Sequence, residues 1–167
     1  MQIAPHCADS MADLKEVVFQ AVPILRVSPP STVPMGRRHK DRDYGHQPGQ
    51  VNFWMPLCSA FGANSLFVEA DNAHGASHPL EGDWGDIHRF YGNGLYHHTV
   101  PNTTGTTRIS LDFRVVPMPL YDDDWPASRG RRNGQQQFFI GGYYKLCRKD
   151  AQSGRWSLDD DVIDVEL

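Results

Sequence analysis

The chain has 167 residues, with 20 acidic and 16 basic side chains, a formal net charge of -4 and an isoelectric point near 6.0. That length suits one domain with a real core, and the acidic balance provides no field that would attract nucleic acid or an anionic membrane. Cys7, Cys58 and Cys147 are odd in number and form no CxxC pattern, the first twenty residues lack the basic flank and apolar run of a signal peptide, and no apolar stretch approaches a membrane span. The expectation is a soluble, cytoplasmic protein with a small-molecule partner.

The first expected element is a helix within an N-terminal segment, residues 1–21. In "SMADLKEVVFQ" Ser10 can cap, and Leu14, Val17 and Val18 fall on one face. Everything after it reads as strands and turns. The runs 51–57 (VNFWMPL), 64–70 (NSLFVEA), 87–100 (IHRFYGNGLYHHTV), 107–117 (TRISLDFRVVP) and 136–147 (QQFFIGGYYKLC) are rich in β-branched and aromatic residues and bounded by Gly, Pro and Asn. Such punctuation predicts an all-β fold, an antiparallel sandwich or barrel. The polar connections 69–86 and 121–134 exceed simple hairpin length and read as candidate functional lids, with disorder as the plainer reading. The acidic tail 158–167 reads as a frayed end or an added edge strand.

Chemistry concentrates in two places. In His39-Lys40-Asp41 an extended backbone puts the imidazole and the carboxylate on one face. Two histidines and one carboxylate make the facial triad of non-haem Fe(II) sites, so a third ligand is required. Residues 96–115, "YHHTVPNTTGTTRISLDFRV", read as a hairpin turning at Asn102 and Gly105. With an even loop, His97 and Thr99 share a face with Arg108 and Ser110; with an odd loop, His98 takes that face instead. Turn chemistry permits both.

The segments HKD, VNFWMPL, GANSLFVEA, FYGNGLYHHTVPN and RISLDFRV resemble the phytanoyl-CoA hydroxylase superfamily of Fe(II)/2-oxoglutarate dioxygenases. NFWMPL, PNTTGTTRISLDFRV and IGGYY are similar to its StrG-like branch, and the likeness runs from about residue 37 to 146. The resemblance implies a double-stranded β-helix, a jelly-roll or cupin-like barrel. It also implies Fe(II), 2-oxoglutarate as cosubstrate, and O2. In that superfamily the second histidine stands eleven positions before the arginine, within His-x-Ser/Thr-x-x-Asn; here His97, Thr99, Asn102 and Arg108 match. The resemblance thus favours the even loop, with His39, Asp41 and His97 as metal ligands. It assigns Arg108 and Thr99 to the distal carboxylate of 2-oxoglutarate, with Ser110 assisting, and Trp54 and Asn52 to a neighbouring strand face. Arg108 suits that task because a guanidinium fork matches a carboxylate in a bidentate manner. Tyr44, His46 and Glu69 are candidate substrate contacts at the barrel rim, and His98 is expected to pack.

The implied reaction is hydroxylation of a small polar metabolite coupled to conversion of 2-oxoglutarate to succinate and CO2. The alternative is a cupin-like barrel that binds metal or a small ligand without redox chemistry. His46, His74, His78 and His88 are otherwise unassigned. Superfamily members carry a longer region before His-x-Asp than the 38 residues here, so VPILRVSPP (22–30) is expected to supply a barrel strand. A barrel short of a strand leaves an edge that invites a homodimer.

Overall fold

The computed structural model describes residues 14–70, 75–126 and 138–158. Its strands, in chain order, are β1 (Glu16–Gln20), β2 (Ile24–Ser28), β3 (Val51–Pro56), β4 (Leu66–Glu69), β5 (Ser77–Leu80), β6 (His88–Phe90), β7 (His97–His98), β8 (Arg108–Pro117), β9 (Tyr144–Lys149) and β10 (Trp156–Leu158). They form a larger antiparallel sheet in the order β10-β9-β1-β8-β3-β6, with β2 also on β8, and a smaller one, β5-β4-β7. Among the described residues no helix is long and apolar enough to cross a membrane.

The long strand β8 organises the larger sheet. One edge pairs with β3, from Val51↔Val115 to Pro56↔Ser110. The other edge takes two short strands end to end: β2, from Ile24↔Asp112 to Ser28↔Arg108, and β1, from Val17↔Pro117 to Phe19↔Val115. Pro23 stands between those two strands, where its missing N–H interrupts no ladder. The alternation of β8 turns Arg108, Ser110, Asp112 and Arg114 to one face.

The expected N-terminal helix is a strand over Glu16–Gln20. Leu14, Val17 and Val18 do have helical spacing, but Val17-Val18-Phe19 pairs with β8 on one side and β9 on the other. Such two-sided pairing outweighs a weak local preference. Ser10 lies outside the described residues. The segment 22–30 does supply a strand, β2.

The run 87–100 is divided by a turn in which Gly94 and Leu95 N–H groups donate to the Tyr91 carbonyl, at 3.1 and 2.8 Å. The two halves join different sheets: β6 pairs with β3, and β7 with β4. For the same reason the expected hairpin over 96–115 is not formed. β7 lies against β4, with Val68↔His97 and Phe67↔His98, while β8 sits in the larger sheet. The connection instead crosses between sheets, held by Asn102 Nδ2 donating to the carbonyls of Ser28 (3.0 Å) and Thr106 (2.8 Å), with Gly105 at a φ of 77°. Of the described part of the expected run 136–147, residues 138–147, Tyr144 onward is strand, following a turn at Gly141 (φ 92°). The connection 69–86 contains β5, and edge strand β10 ends at Leu158, the first residue of the tail, while residues 71–74, 127–137 and 159–167 lie outside the described set.

The apolar core, Val18, Val116, Phe138, Tyr144 and Leu146, packs where β1, β8 and β9 meet, with Met118, Tyr121, Ile140 and Tyr143 around it. Beside it the described interior is strongly polar: Gln20, Asp41, His46, Gln50, Asn52, His97, Arg108 and Arg114 are all buried. Buried polar groups persist only when hydrogen-bonded or when a ligand completes them. That concentration locates the functional site.

Candidate metal centre

His39, Asp41 and His97 each offer one ligand atom, and these atoms lie within 4.8 Å of one another. His39 and His97 are joined backbone to backbone in an isolated antiparallel bridge, with N···O distances of 3.2 and 3.0 Å. Lys40 is extended (φ -111°, ψ 147°), so Asp41 does share the His39 face before the chain enters a short 3-10 turn, Asp41–Tyr44. Asp41 Oδ1 lies 3.4 Å from His97 Nε2 and 3.8 Å from His39 Nε2.

The tautomers suit metal ligation. His39 Nδ1 meets the Arg37 carbonyl at 2.6 Å, and His97 Nδ1 meets the Leu95 carbonyl at 3.1 Å. A carbonyl oxygen only accepts, so Nδ1 carries a proton in each ring, and Nε2, beside Asp41, is the atom that the neutral ring offers to a metal. Burial pulls the His39 pKa down, which favours the neutral ring.

Behind the carboxylate stands a dense shell of donors. Asp41 Oδ2 accepts from Gln50 Nε2 (2.7 Å), Asn52 Nδ2 (2.7 Å) and Arg114 Nε (2.8 Å), while Arg114 Nη2 lies 3.4 Å from Oδ1. Burial pushes the Asp41 carboxyl up, but hydrogen bonding with His97 and the charge of Arg114 outweigh it and hold it well below the usual carboxylate range. Burial likewise opposes the charge on Arg114, and Asp41 overcomes it, so this guanidinium stays charged.

One pocket contains His39, His97, Asn52, Trp54, Thr99, Arg108, Asp112 and Arg114. Arg108 is 2% exposed, and its Nε and Nη1 have no hydrogen-bond partner among the described residues. Burial lowers its pKa, although Asp112 acts against the shift. The guanidinium carbon lies 5.5 Å from the Trp54 ring centre, and Trp54 Nε1 donates to Ser110 Oγ at 3.1 Å. At the outer side Arg26 Nη2 reaches Asp112 Oδ2 at 3.4 Å.

The other expected site residues divide. Ser110 is buried beside Arg108 and Trp54, as alternation on β8 requires. Thr99 lines the pocket with its hydroxyl accepting from Gly36 N–H at 2.7 Å. Asn52 points at Asp41 as well as the pocket. Tyr44 is 62% exposed and sets its ring edge against His39. His46 is buried behind the centre, bonded to Gln50 and packed on Phe138. Glu69 is buried in an ion pair with Arg38, whose guanidinium also covers Tyr96. His98 stacks on Phe67 at the pocket wall. Gln50 and Arg114 were missed by sequence reasoning. The alternation 50-52-54 and 108-110-112-114 was the available signal: Gln50 lies one step before Asn52, just ahead of β3, and Arg114 two steps beyond Ser110 on β8.

No family model matches the chain. It is 33% identical over 132 residues to the streptomycin biosynthesis protein StrG of Streptomyces griseus, a match covering 79% of this chain and 61% of that protein. The chain thus spans about three-fifths of that relative's length. Among solved structures, the non-haem monooxygenase ThoJ in complex with nickel aligns with a TM-score of 0.52 at 18% identity, over 75% of this chain and 55% of ThoJ. The non-haem α-ketoglutarate-dependent epimerase SnoN from nogalamycin biosynthesis aligns with a TM-score of 0.51 at 15% identity, over 75% and 61% of the two chains. At those identities the likeness is one of fold: the mainly antiparallel double-stranded β-helix.

Proposed function

We propose that the protein is a non-haem oxygenase that uses Fe(II), 2-oxoglutarate and O2 to hydroxylate a small polar metabolite. The carrying observation is that His39 and His97 of a two-histidine, one-carboxylate cluster line the same pocket as Arg108, a buried cation with two unpartnered donors among the described residues. A desolvated, unpaired guanidinium is costly and is explained by a ligand carboxylate. A barrel that only held a metal would have no use for it. The donor set also fits: two imidazole nitrogens and one carboxylate oxygen suit Fe(II) and leave coordination positions for other molecules.

When bound, Fe(II) with 2-oxoglutarate supplies the oxidation, in which O2 is consumed, the cosubstrate becomes succinate and CO2, and a substrate C–H is hydroxylated. The chain's residues bind and orient. His39 and His97 present Nε2, Asp41 presents Oδ1, and Arg108 takes the distal carboxylate with Trp54, Thr99 and Ser110 beside it. Arg26 and Asp112 give the pocket wall charges of both signs, which supports a polar substrate. The names of StrG and SnoN, both from biosynthesis of small natural products, support a metabolite rather than a macromolecule.

The test is anaerobic titration of the metallated protein with 2-oxoglutarate. The expected result is a weak visible charge-transfer band, then release of succinate on admitting air. A fully metallated protein with no band and no succinate would overturn the reading.

A further inference from the structure

The geometry points to a clamp on Asp41, formed by Gln50, Asn52 and Arg114 and aligned by Gly92, that reserves Oδ1 alone for the metal. This rests on the metal-centre reading above and goes beyond it by assigning positioning residues. Three donors within 2.8 Å of Oδ2 occupy the lone-pair directions a carboxylate oxygen offers, so a metal approaching from the histidine side meets only Oδ1.

The clamp's orientation is itself determined by its neighbours. Asn52 Oδ1 accepts from the Gly92 N–H at 3.2 Å, so its amide nitrogen must face Asp41. Gln50 Oε1 is approached by the Tyr144 hydroxyl at 3.1 Å and His46 Nδ1 at 2.6 Å, which turns its amide nitrogen the same way. Arg114 Nη1 donates to Gln20 Oε1 (3.1 Å) and Tyr143 Oη (3.2 Å), which directs Nε at Oδ2 (2.8 Å) and leaves Nη2 at a longer 3.4 Å from Oδ1. Gly92 is needed for close approach: a Cβ there would fall 2.6 Å from Asn52 Nδ2, and the Gly92 carbonyl also accepts the Asp41 N–H at 2.9 Å. One glycine thus holds both the backbone of the ligand and the amide that aims its side chain.

The test uses the full chain with Co(II) as the probe, reading the dissociation constant and the visible d–d spectrum. Asn52→Ala and Gly92→Ala are each expected to weaken Co(II) binding by roughly 10- to 100-fold. Both are also expected to alter band position and intensity, because with the Asn52 donor lost or displaced the two that remain hold Oδ2 less firmly and the carboxylate turns it toward the metal. Val116→Ala, a fully buried core substitution that alters none of Gln50, Asn52, Gly92 or Arg114, controls for lost stability. It should keep the wild-type spectrum and affinity even at an equal loss of Tm. The clamp is overturned if wild type binds Co(II) and Asn52→Ala matches it in spectrum and affinity, or if Val116→Ala reproduces the Asn52→Ala spectrum. Failure of wild type itself to bind Co(II) overturns the metal-centre reading together with the clamp, and is thereby distinguished.

Discussion

Arg108→Met separates function from stability. In the free protein Arg108 is buried, and Nε and Nη1 lack partners among the described residues. Each unsatisfied buried donor costs about 1–3 kcal/mol, and methionine removes both while filling much of the same volume. Against this stands the lost contact with the Trp54 face, whose 5.5 Å separation is consistent with about 0.5–2 kcal/mol. With about 2–6 kcal/mol gained and about 0.5–2 lost, the variant is at least as stable as wild type in the absence of ligand, by up to about 5 kcal/mol, and its Tm is raised. With 2-oxoglutarate at roughly one hundred times its dissociation constant, wild type gains about 2.7 kcal/mol and the variant gains almost nothing. Thermal melts of the metallated protein with and without 2-oxoglutarate measure both effects. A variant destabilised by about 2 kcal/mol or more without ligand, or stabilised by 2-oxoglutarate as much as wild type, would refute the assignment of Arg108 to a ligand carboxylate.

His97→Ala should abolish Fe(II) or Co(II) binding measured by calorimetry, whereas His98→Ala should keep it and lose about 1 kcal/mol of stability with the Phe67 stack. Acid should destabilise the fold through His46, whose pKa burial pushes down to about 4. Below the unfolded value of about 6.5 the unfolded chain takes up a proton that the native ring refuses. Stability is therefore lost as pH falls from about 6.5 toward 4, by roughly 3 kcal/mol in total. His39 and His98, whose pKa values burial also lowers, act in the same direction, so urea melts of His46→Gln should show a shallower slope across that window, not a flat one. Gly49→Ala should cost about 1–3 kcal/mol in the same melts, because a Cβ would lie 2.4 Å from the Leu120 carbonyl oxygen, which is backbone and cannot swing away.

The class of fold was legible because β-branched and aromatic alternation is a local property, and β3, β4 and β8 appear close to where that alternation places them. The His39 and Asp41 pairing was legible for the same reason: a one-residue spacer in an extended segment fixes a shared face. Arg108 and Trp54 were singled out by the resemblance and Ser110 by alternation from Arg108, and the two β8 residues lie on one buried face with Trp54 bonded to Ser110. The choice between His97 and His98 was not a local matter. Loop parity decides it only if β7 pairs with β8, and β7 pairs with β4 instead. His97 reaches Asp41 because a bridge to His39 joins segments far apart in sequence. Likewise the donors on Asp41 Oδ2 come from β3, the residue just before it, and β8, which are brought together by register. Local spacing determined which residues could act as ligands; only long-range strand pairing, whose partners no short window contains, decided which of them meet.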